Sequence, residues 1–483
     1  MKNFKILSCV GLCLIALCMR VQGQARPNIL ILLTDDQRYN TIRALGNNEV
    51  FTPNMDQLVH QGTAFVQAHI MGGMSGAICC PSRAMLMSSR SLFRLRSDGK
   101  YIPETDKTFP ELFRENGYQT FATGKWHQDK QSFNRSFAKG DNIFFGGMVA
   151  KKHDQYNPTL HHYDSTGVYN QPFEGEGFTS YNFANAAIDF LKGSQLSEKP
   201  FLMYVAFTSP HDPRTPPEEY GHRYDMKDVS LPVSFAAKHP FDNGELYIRD
   251  EMLLPFPRTE VAVKSELAKY YGMVSEVDYQ IGRIITELKR TGRYDNTIII
   301  LASDNGLAVG DHGLLGKQNP YESAIRVPLV FAGPGIPQDR KSDGIVYLND
   351  IYPTLCTMAQ LSIPSTVEGT SIHEAFNKLK RFEGRDQAFF AYSNIQRAIV
   401  RNGYKMILYN VKGKETVQLF NLKDDPNELH DLAQTGCCSA IIKKLRLDLK
   451  EEMGSLGDFG HIDQAGWGYP EKMEKKDWEK LNP

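Results

Sequence analysis

The residues best equipped for chemistry fall in a few short stretches. Cys79 and Cys80 precede Pro81, Ser82 and Arg83, and an apolar, helix-compatible run from Ala84 to Met87 follows. Proline suits a first helical position because its missing N–H would have no intrahelical partner there. The pattern predicts a helix beginning at Pro81, with Cys79 just ahead of an N-terminus whose unpaired N–H groups favour negative charge. Arg83, one turn in, can reach back toward the sulfur. A buried, inert cysteine is the plainer reading. Asp35-Asp36 and Asp304-Asn305 supply oxygen side chains without sulfur or imidazole, a set that suits calcium or magnesium rather than zinc or copper. Acidic pairs also serve as turn residues or caps. A cationic and imidazole set comprises Arg83, Lys125, His127, His211 and Lys317. Preorganised cations stabilise developing negative charge best where water is scarce, and imidazole suits proton transfer near neutral pH.

The elements that must position these residues are legible as apolar runs. Asn28 to Thr34 has the continuous hydrophobicity of a buried parallel strand and ends in Asp35-Asp36-Gln37. Tyr118 to Ala122, a weaker strand, leads to Gly124-Lys125-Trp126-His127. Phe201 to Phe207 leads to Ser209-Pro210-His211-Asp212, and Thr297 to Ala302 to Ser303-Asp304-Asn305-Gly306. In open α/β sheets, ligand sites gather beyond the carboxyl ends of the strands, so these clusters are expected to share one crevice. Leu267, Tyr271, Val274, Ile281, Ile285 and Leu288 recur at helical spacing within Glu266 to Arg290, and Gly292 marks a stop. Asn182 to Leu191 is a shorter helix of the same kind. Strand–helix alternation to about residue 360 predicts a doubly wound α/β domain.

Two stretches break the rhythm: Gly140 to Phe178 and Pro213 to Arg258. Long irregular segments in a compact domain are commonly functional, and these are expected to rim the crevice and shape substrate choice. His161-His162 has no metal-like spacing and reads as a pair of solvated loop histidines. From Gln387 the pattern changes to short strands, Ala398 to Val400, Lys405 to Tyr409 and Thr416 to Phe420, with turns at Asn402-Gly403 and Lys412-Gly413. With a helix over Ile441 to Met453, this predicts a small α+β subdomain with an antiparallel sheet. The tail from Trp467 to Pro483 reads as a loose surface segment. The expected division is 1–23 an export signal, 24–380 a catalytic domain and 381–483 a C-terminal subdomain.

Composition narrows the classes. The 483 residues carry 55 Lys+Arg against 56 Asp+Glu, so no global field attracts nucleic acid. Hydrophobic content of 41% is ordinary for a globular protein. Lys2 and Lys5, the apolar run Ile6 to Met19 and the small-residue site at Val21-Gln22-Gly23 read as a cleaved signal peptide, too short for a membrane span. Leu17 before Cys18 is bulky where lipidation wants a small residue. The mature chain then begins near Gln24 and is periplasmic or secreted. Of eight cysteines, export leaves Cys79, Cys80, Cys356, Cys437 and Cys438, which form neither a disulfide framework nor a zinc spacing. One bond between distant cysteines stays open.

Cys79-x-Pro81-Ser82-Arg83, continuing loosely to Ser88-Ser89-Arg90, resembles the signature of the type I sulfatases of the alkaline phosphatase superfamily. The resemblance implies a large, mostly parallel mixed sheet sandwiched by helices, with a smaller C-terminal antiparallel subdomain. It also implies that a formylglycine-generating maturation enzyme oxidises Cys79 to formylglycine (3-oxoalanine), whose hydrated aldehyde is the nucleophile. Asp35, Asp36, Asp304 and Asn305 resemble the family's ligands for one calcium ion, which residue 79 joins after conversion. Gly124-Lys125-Trp126-His127 resembles the motif whose Lys and His lie near nucleophile and sulfate. Ser209-Pro210-His211 resembles the strand end whose His protonates the leaving oxygen. Gly310-Asp311-His312-Gly313-Leu314-Leu315-Gly316-Lys317 resembles the motif whose Lys holds the sulfate, with His312 a further substrate contact. Arg83 would assist the nucleophile. Gln128-Asp129 departs from the family's common Leu-Gly and is expected to alter the pocket floor. Arg401 to Lys405, Leu419 to Leu422 and Asp425 to Glu428 resemble the closing subdomain.

The implied activity is removal of O-sulfate from a sulfated carbohydrate by an exported bacterial enzyme, with no nucleic acid partner and no stable membrane insertion. Arg135 to Met148 resembles sulfatases acting on sulfated galactose or N-acetylgalactosamine, and Asp212, Arg214 and the His161-His162 loop are candidate sugar contacts. Formylglycine-dependent phosphonate or phosphodiester hydrolases, and a non-catalytic protein binding sulfated glycans, are the alternatives.

Overall fold

The computed structural model describes residues 26–149, 154–164, 166–194, 197–458 and 460–463. The export signal at 1–23, with Cys9, Cys13 and Cys18, and the tail from Trp467 lie outside the described residues.

Ten strands form one sheet, in the order Arg340–Ser342, Gly62–Phe65, Leu329–Ala332, Thr297–Ser303, Asn28–Thr34, Phe201–Ala206, Gln119–Lys125, Lys139–Phe144, Thr159–Tyr163 and Phe173–Glu174. The middle five, Thr297–Ser303 through Lys139–Phe144, are parallel neighbours, and the antiparallel pairings begin at Leu329–Ala332 on one side and Thr159–Tyr163 on the other. Their registers bring the carboxyl ends level: Thr34 faces Ser303, Leu33 faces Ala206, and Gly124 faces Ala206 from the other side. Gly124 has φ +90°, and a Cβ there would lie 1.9 Å from the Ala206 carbonyl oxygen. Only glycine fits this register shift between Ala122 and Gly124, which carries the strand on to Lys125.

Alternate residues of Asn28–Thr34 enter opposite cores. Leu30 and Leu32 join Phe183, Ala187, Val277, Ile281 and Leu288, from the helices Thr179–Ser194 and Glu260–Arg290. Each fully buried aliphatic side chain there contributes roughly 1.5–3 kcal/mol. Thr259 caps the long helix by accepting from the Ala262 N–H, and Gly292, at φ +68°, follows its end. Both helices are longer than their apolar stripes.

Ile29, Ile31 and Leu33 face a second core, shared with Met85 and Leu86 of the helix Cys79–Ser88 and with Phe389, Ile399 and Ile407 of a five-stranded sheet. Four of its strands, Gln387–Tyr392, Gln396–Arg401, Tyr404–Val411 and Lys414–Asn421, are antiparallel. Asn402-Gly403 and Lys412-Gly413 turn two of its hairpins with paired positive φ values, as two-residue hairpin turns require. The fifth strand is Gly72–Gly73, parallel to Ala391–Tyr392, so the C-terminal sheet holds the segment leading into Cys79.

Local expectations change in two places. The helix starts at Cys79 rather than Pro81, which occupies its third position; all the first-turn N–H groups lack intrahelical partners, so proline is tolerated there too. His161 and His162 belong to the strand Thr159–Tyr163 rather than a loop, with the His162 ring stacked on Phe173 at 4.3 Å and paired with Asp141. Pairing with Lys139–Phe144 on one side and Phe173–Glu174 on the other, invisible in the sequence pattern, makes that strand. The five described cysteines are all free thiols. Among the described residues, no helix is long and apolar enough to cross a membrane.

Candidate functional site

The crevice lies at the carboxyl ends of the central strands. Ser82 and Arg83 dock the cysteine helix onto it: Ser82 Oγ donates to the Asp304 carbonyl at 2.5 Å, and Arg83 Nε to Asp304 Oδ2 at 2.7 Å. Arg83 also donates to the Lys125 carbonyl at 2.8 Å and lies 3.8 Å from Asp35 Oδ2. Contrary to expectation, its guanidinium serves the carboxylates rather than reaching back to the sulfur. The spacing Cys-x-Pro-Ser-Arg thus has a mechanical meaning: Ser82 and Arg83, three and four residues on from Cys79, anchor on Asp304, leaving Cys79 facing the crevice.

Three cations surround three carboxylates. Lys125 Nζ donates to Asp35 Oδ2 at 2.5 Å, and Lys317 Nζ to Asp36 Oδ1 at 2.6 Å. Both ammonium groups face Cys79 Sγ, at 3.5 and 3.9 Å. His127, at φ +75°, brings Nδ1 to 3.5 Å from the same sulfur. A Cβ on Gly147 would fall 2.8 Å from His127 Nε2, so the Phe144–Met148 segment packs closely on this ring only because residue 147 is glycine. His211 Nδ1 lies 2.7 Å from the Asp212 carbonyl and its Nε2 3.7 Å from Asp36 Oδ2. Asn305 Nδ2 donates to Asp36 Oδ1 at 2.6 Å.

The electrostatics follow from burial. Burial opposes charge on Asp35, yet Lys125, His211, Arg83 and Lys317 together hold its carboxyl well below the ordinary range. Asp304 goes the other way: burial and the Asp35 charge push it up to about 7 against Arg83 and Lys125. Burial lowers the basicity of Lys125 and Lys317, but Asp35 and Asp36 respectively outweigh it and both are raised. Burial, then Lys125 and Arg83, lowers His127 well below the usual imidazole range, so it is neutral. Burial also raises the Cys79 thiol despite both lysines, leaving it protonated and a poor nucleophile as cysteine.

The donor set fits a hard cation. One oxygen from each of Asp35, Asp36 and Asp304 lies within 4.8 Å of the others. Asp35 Oδ1 and Asn305 Oδ1 are buried without a hydrogen-bond partner, a costly state that a cation would relieve. Oxygen donors of this kind match calcium or magnesium.

Several expected contacts lie elsewhere. His312 stacks on Tyr321 at 3.8 Å, and burial, His239 and Lys405 lower it to about 3, so it is a neutral packing ring rather than part of the cluster. Arg214 pairs with Glu266 at 2.9 Å with its side chain 2% exposed. Arg135 is tied to Glu111 and to the Ile102 and Pro103 carbonyls. Gln128 donates to the Cys80 carbonyl, and Asp129 caps the helix Lys130–Ser136, so that departure supports the cysteine helix and a neighbour rather than lining a floor. Ser89 and Arg90 bond the Asn349 and Thr366 carbonyls, a structural role for the loose tail of the motif. Sequence reasoning missed Arg249, Asp250 and Gln318. Gln318 follows a recognised lysine, whereas Arg249 lies in an irregular stretch with no local signal.

The fold and this cluster define a hydrolase-type site on a mixed α/β sheet. The sulfatase profile matches residues 27–361, and that of the N-sulphoglucosamine sulphohydrolase C-terminal region matches 310–454. The chain belongs to the sulfatase family and is a sulfatase enzyme. It is 28% identical to an arylsulfatase of Clostridium perfringens over 92% of this chain and 98% of that protein. It is 24% identical to an N-acetylglucosamine-6-O-sulfatase of Bacteroides thetaiotaomicron, over 84% of this chain and 82% of the other. A structure solved in complex with its substrate D-glucosamine-2-N,6-O-disulfate superposes with a TM-score of 0.75 at 22% identity, covering 93% of this chain and all of that one.

Proposed function

We propose that the enzyme removes O-sulfate from a sulfated carbohydrate, using formylglycine derived from Cys79 and one calcium ion. The observation that carries this reading is the convergence of Lys125, His127, Lys317 and, through Asp36, His211 on the buried sulfur of Cys79. Polar donors on every side suit a hydrated aldehyde better than a thiol held protonated. Asp35, Asp36, Asp304 and Asn305, with the oxygen at position 79, would hold the calcium, which when bound supplies positive charge to polarise sulfate and nucleophile oxygens.

The protein's own groups then have distinct tasks. Lys125 and Lys317 bind sulfate oxygens and stabilise the charge that grows as the S–O bond breaks. Arg83 holds Asp304 and Asp35 in place. His211, its Nδ1 engaged by the Asp212 carbonyl, has Nε2 available to protonate the leaving sugar oxygen. Neutral His127 takes the proton of the remaining hydroxyl as sulfate is expelled and the aldehyde returns. Covalent catalysis of this kind divides one difficult hydrolysis into two easier steps.

The glucosamine sulfates named for two of the similar proteins support a sugar substrate. They compete with the galactose preference, whose Arg135 is structural. We further read the chain as exported, with 24–380 as catalytic domain and 381–483 as C-terminal subdomain. The test is the mass of the Cys79 peptide from a host carrying a formylglycine-generating enzyme, together with sulfate release from a panel of sulfated monosaccharides. Gain of an aldehyde and release of sulfate are expected. An unmodified thiol beside a converted control sulfatase, or full activity in Cys79→Ala, refutes the reading.

A further inference from the structure

A second set of charges runs along one rim of the crevice. Arg249, from the irregular stretch after Pro213, grips the Asp212 carboxylate with Nη1 at 2.5 Å and Nη2 at 2.9 Å. Its Nε and Nη2 reach Asp250 Oδ1 at 3.0 and 2.6 Å. Asp250 accepts from Gln318 Nε2 at 2.8 Å, and that amide also donates to the Gly76 carbonyl at 2.8 Å. Ile248 packs against Gly76, where a Cβ would lie 2.7 Å from Ile248 Cδ1, so this part of the rim is pinned beside the turn leading to Cys79.

The Asp212 side chain is 7% exposed, and a buried carboxylate without a partner is strongly unfavourable. Arg249 supplies that partner in the two-pronged form that fixes direction as well as charge. Asp212 in turn borders His211 twice: its carbonyl lies 2.7 Å from Nδ1 and its Oδ1 3.3 Å from the same atom. Lys317, by contrast, takes its close ion pair from Asp36 rather than from the Arg249–Asp212 clamp.

We propose that Arg249 is a positioning residue for leaving-group protonation. By clamping Asp212, it keeps Nδ1 of His211 turned to the Asp212 carbonyl and Nε2 toward the departing oxygen. This rests on the reading of His211 as the acid. In that step the position-79 oxygen, as the alkoxide of the hydrate, forms a bond to sulfur. The bond from sulfur to the sugar oxygen breaks with its electron pair on oxygen, and that oxygen takes the Nε2 proton. An alkoxide needs that proton, whereas a nitrophenolate, stable as an anion, departs without it.

The experiment compares matured wild type, Arg249→Ala and Arg249→Lys on a sugar sulfate and on 4-nitrophenyl sulfate, with inhibition by inorganic sulfate. For Arg249→Ala, kcat on the sugar sulfate is expected to fall about 10–100-fold, up to the lower end of the roughly 10²–10⁴-fold that a general acid contributes because His211 itself remains, with little change on the aryl sulfate or in sulfate affinity. Arg249→Lys keeps the charge without the fork and should show the same selective loss at smaller amplitude. Equal losses on both substrates, no loss on the sugar, or a rise in KM alone overturns the proposal. His211→Gln separates the two levels. If it lacks leaving-group selectivity, the acid assignment falls and the inference with it. If it shows selectivity and the Arg249 variants do not, only the inference falls.

Discussion

Replacing Lys317 by alanine probes the site most directly. Its ammonium is buried, 2.6 Å from Asp36 Oδ1 and 3.9 Å from Cys79 Sγ. Burial opposes its charge, but Asp36 and Asp250 raise its basicity well above the ordinary value, so it is charged at any working pH. Removing one preorganised donor of this type costs about 10²–10³ in kcat, or about 2.7–4 kcal/mol of transition-state stabilisation. The truncation also leaves Asp36 without its nearest ammonium, a defect that destabilises by about 3–5 kcal/mol unless another cation takes the place. Measurements therefore use saturating calcium, with circular dichroism and the aldehyde content of residue 79 recorded on the same preparation. Steady-state sulfate release from the best sugar sulfate should show kcat/KM reduced by about 10²–10³. A folded, fully converted Lys317→Ala enzyme that loses less than about tenfold refutes the assignment of Lys317 to the sulfate.

Three further outcomes are expected. Chelation should lower both activity and the thermal midpoint, and calcium rather than zinc should restore them; at a hundred times Kd the ion adds about 2.7 kcal/mol, so an unchanged midpoint contradicts the cation site. Lys405 pairs with Glu322 at 3.1 Å and Glu428 at 2.7 Å, with none of its side chain exposed, and ties the C-terminal sheet to the short helix Glu322–Ile325. Lys405→Met should cost about 3–5 kcal/mol in urea unfolding, and a loss below about 1 kcal/mol would exclude a structural latch. Glu276 is pushed by burial from 4.5 to about 7. Between those values the folded chain holds a proton that the unfolded chain has released, so stability falls as pH rises through the window. Glu276→Gln should therefore gain up to about 3 kcal/mol over wild type at pH 8 and nothing near pH 4; equal stability at pH 8 would contradict this.

The buried strands and the antiparallel C-terminal hairpins were legible because continuous apolar runs and Asn-Gly or Lys-Gly turns are local signals. So was the gathering of polar clusters at strand ends, since parallel strands in register must bring their carboxyl ends together. The strand with His161 was not, because its ladder is supplied by the strands on either side of it rather than by any pattern of its own. The sequence by itself determined which residue types line the crevice. Only the tertiary structure decided their partners. Arg83 turns to Asp304 and Arg214 to Glu266, whereas Arg249 arrives from an irregular loop to hold Asp212. Buried charges must find counter-charges, and those lie tens to hundreds of residues away along the chain, beyond the reach of any local pattern.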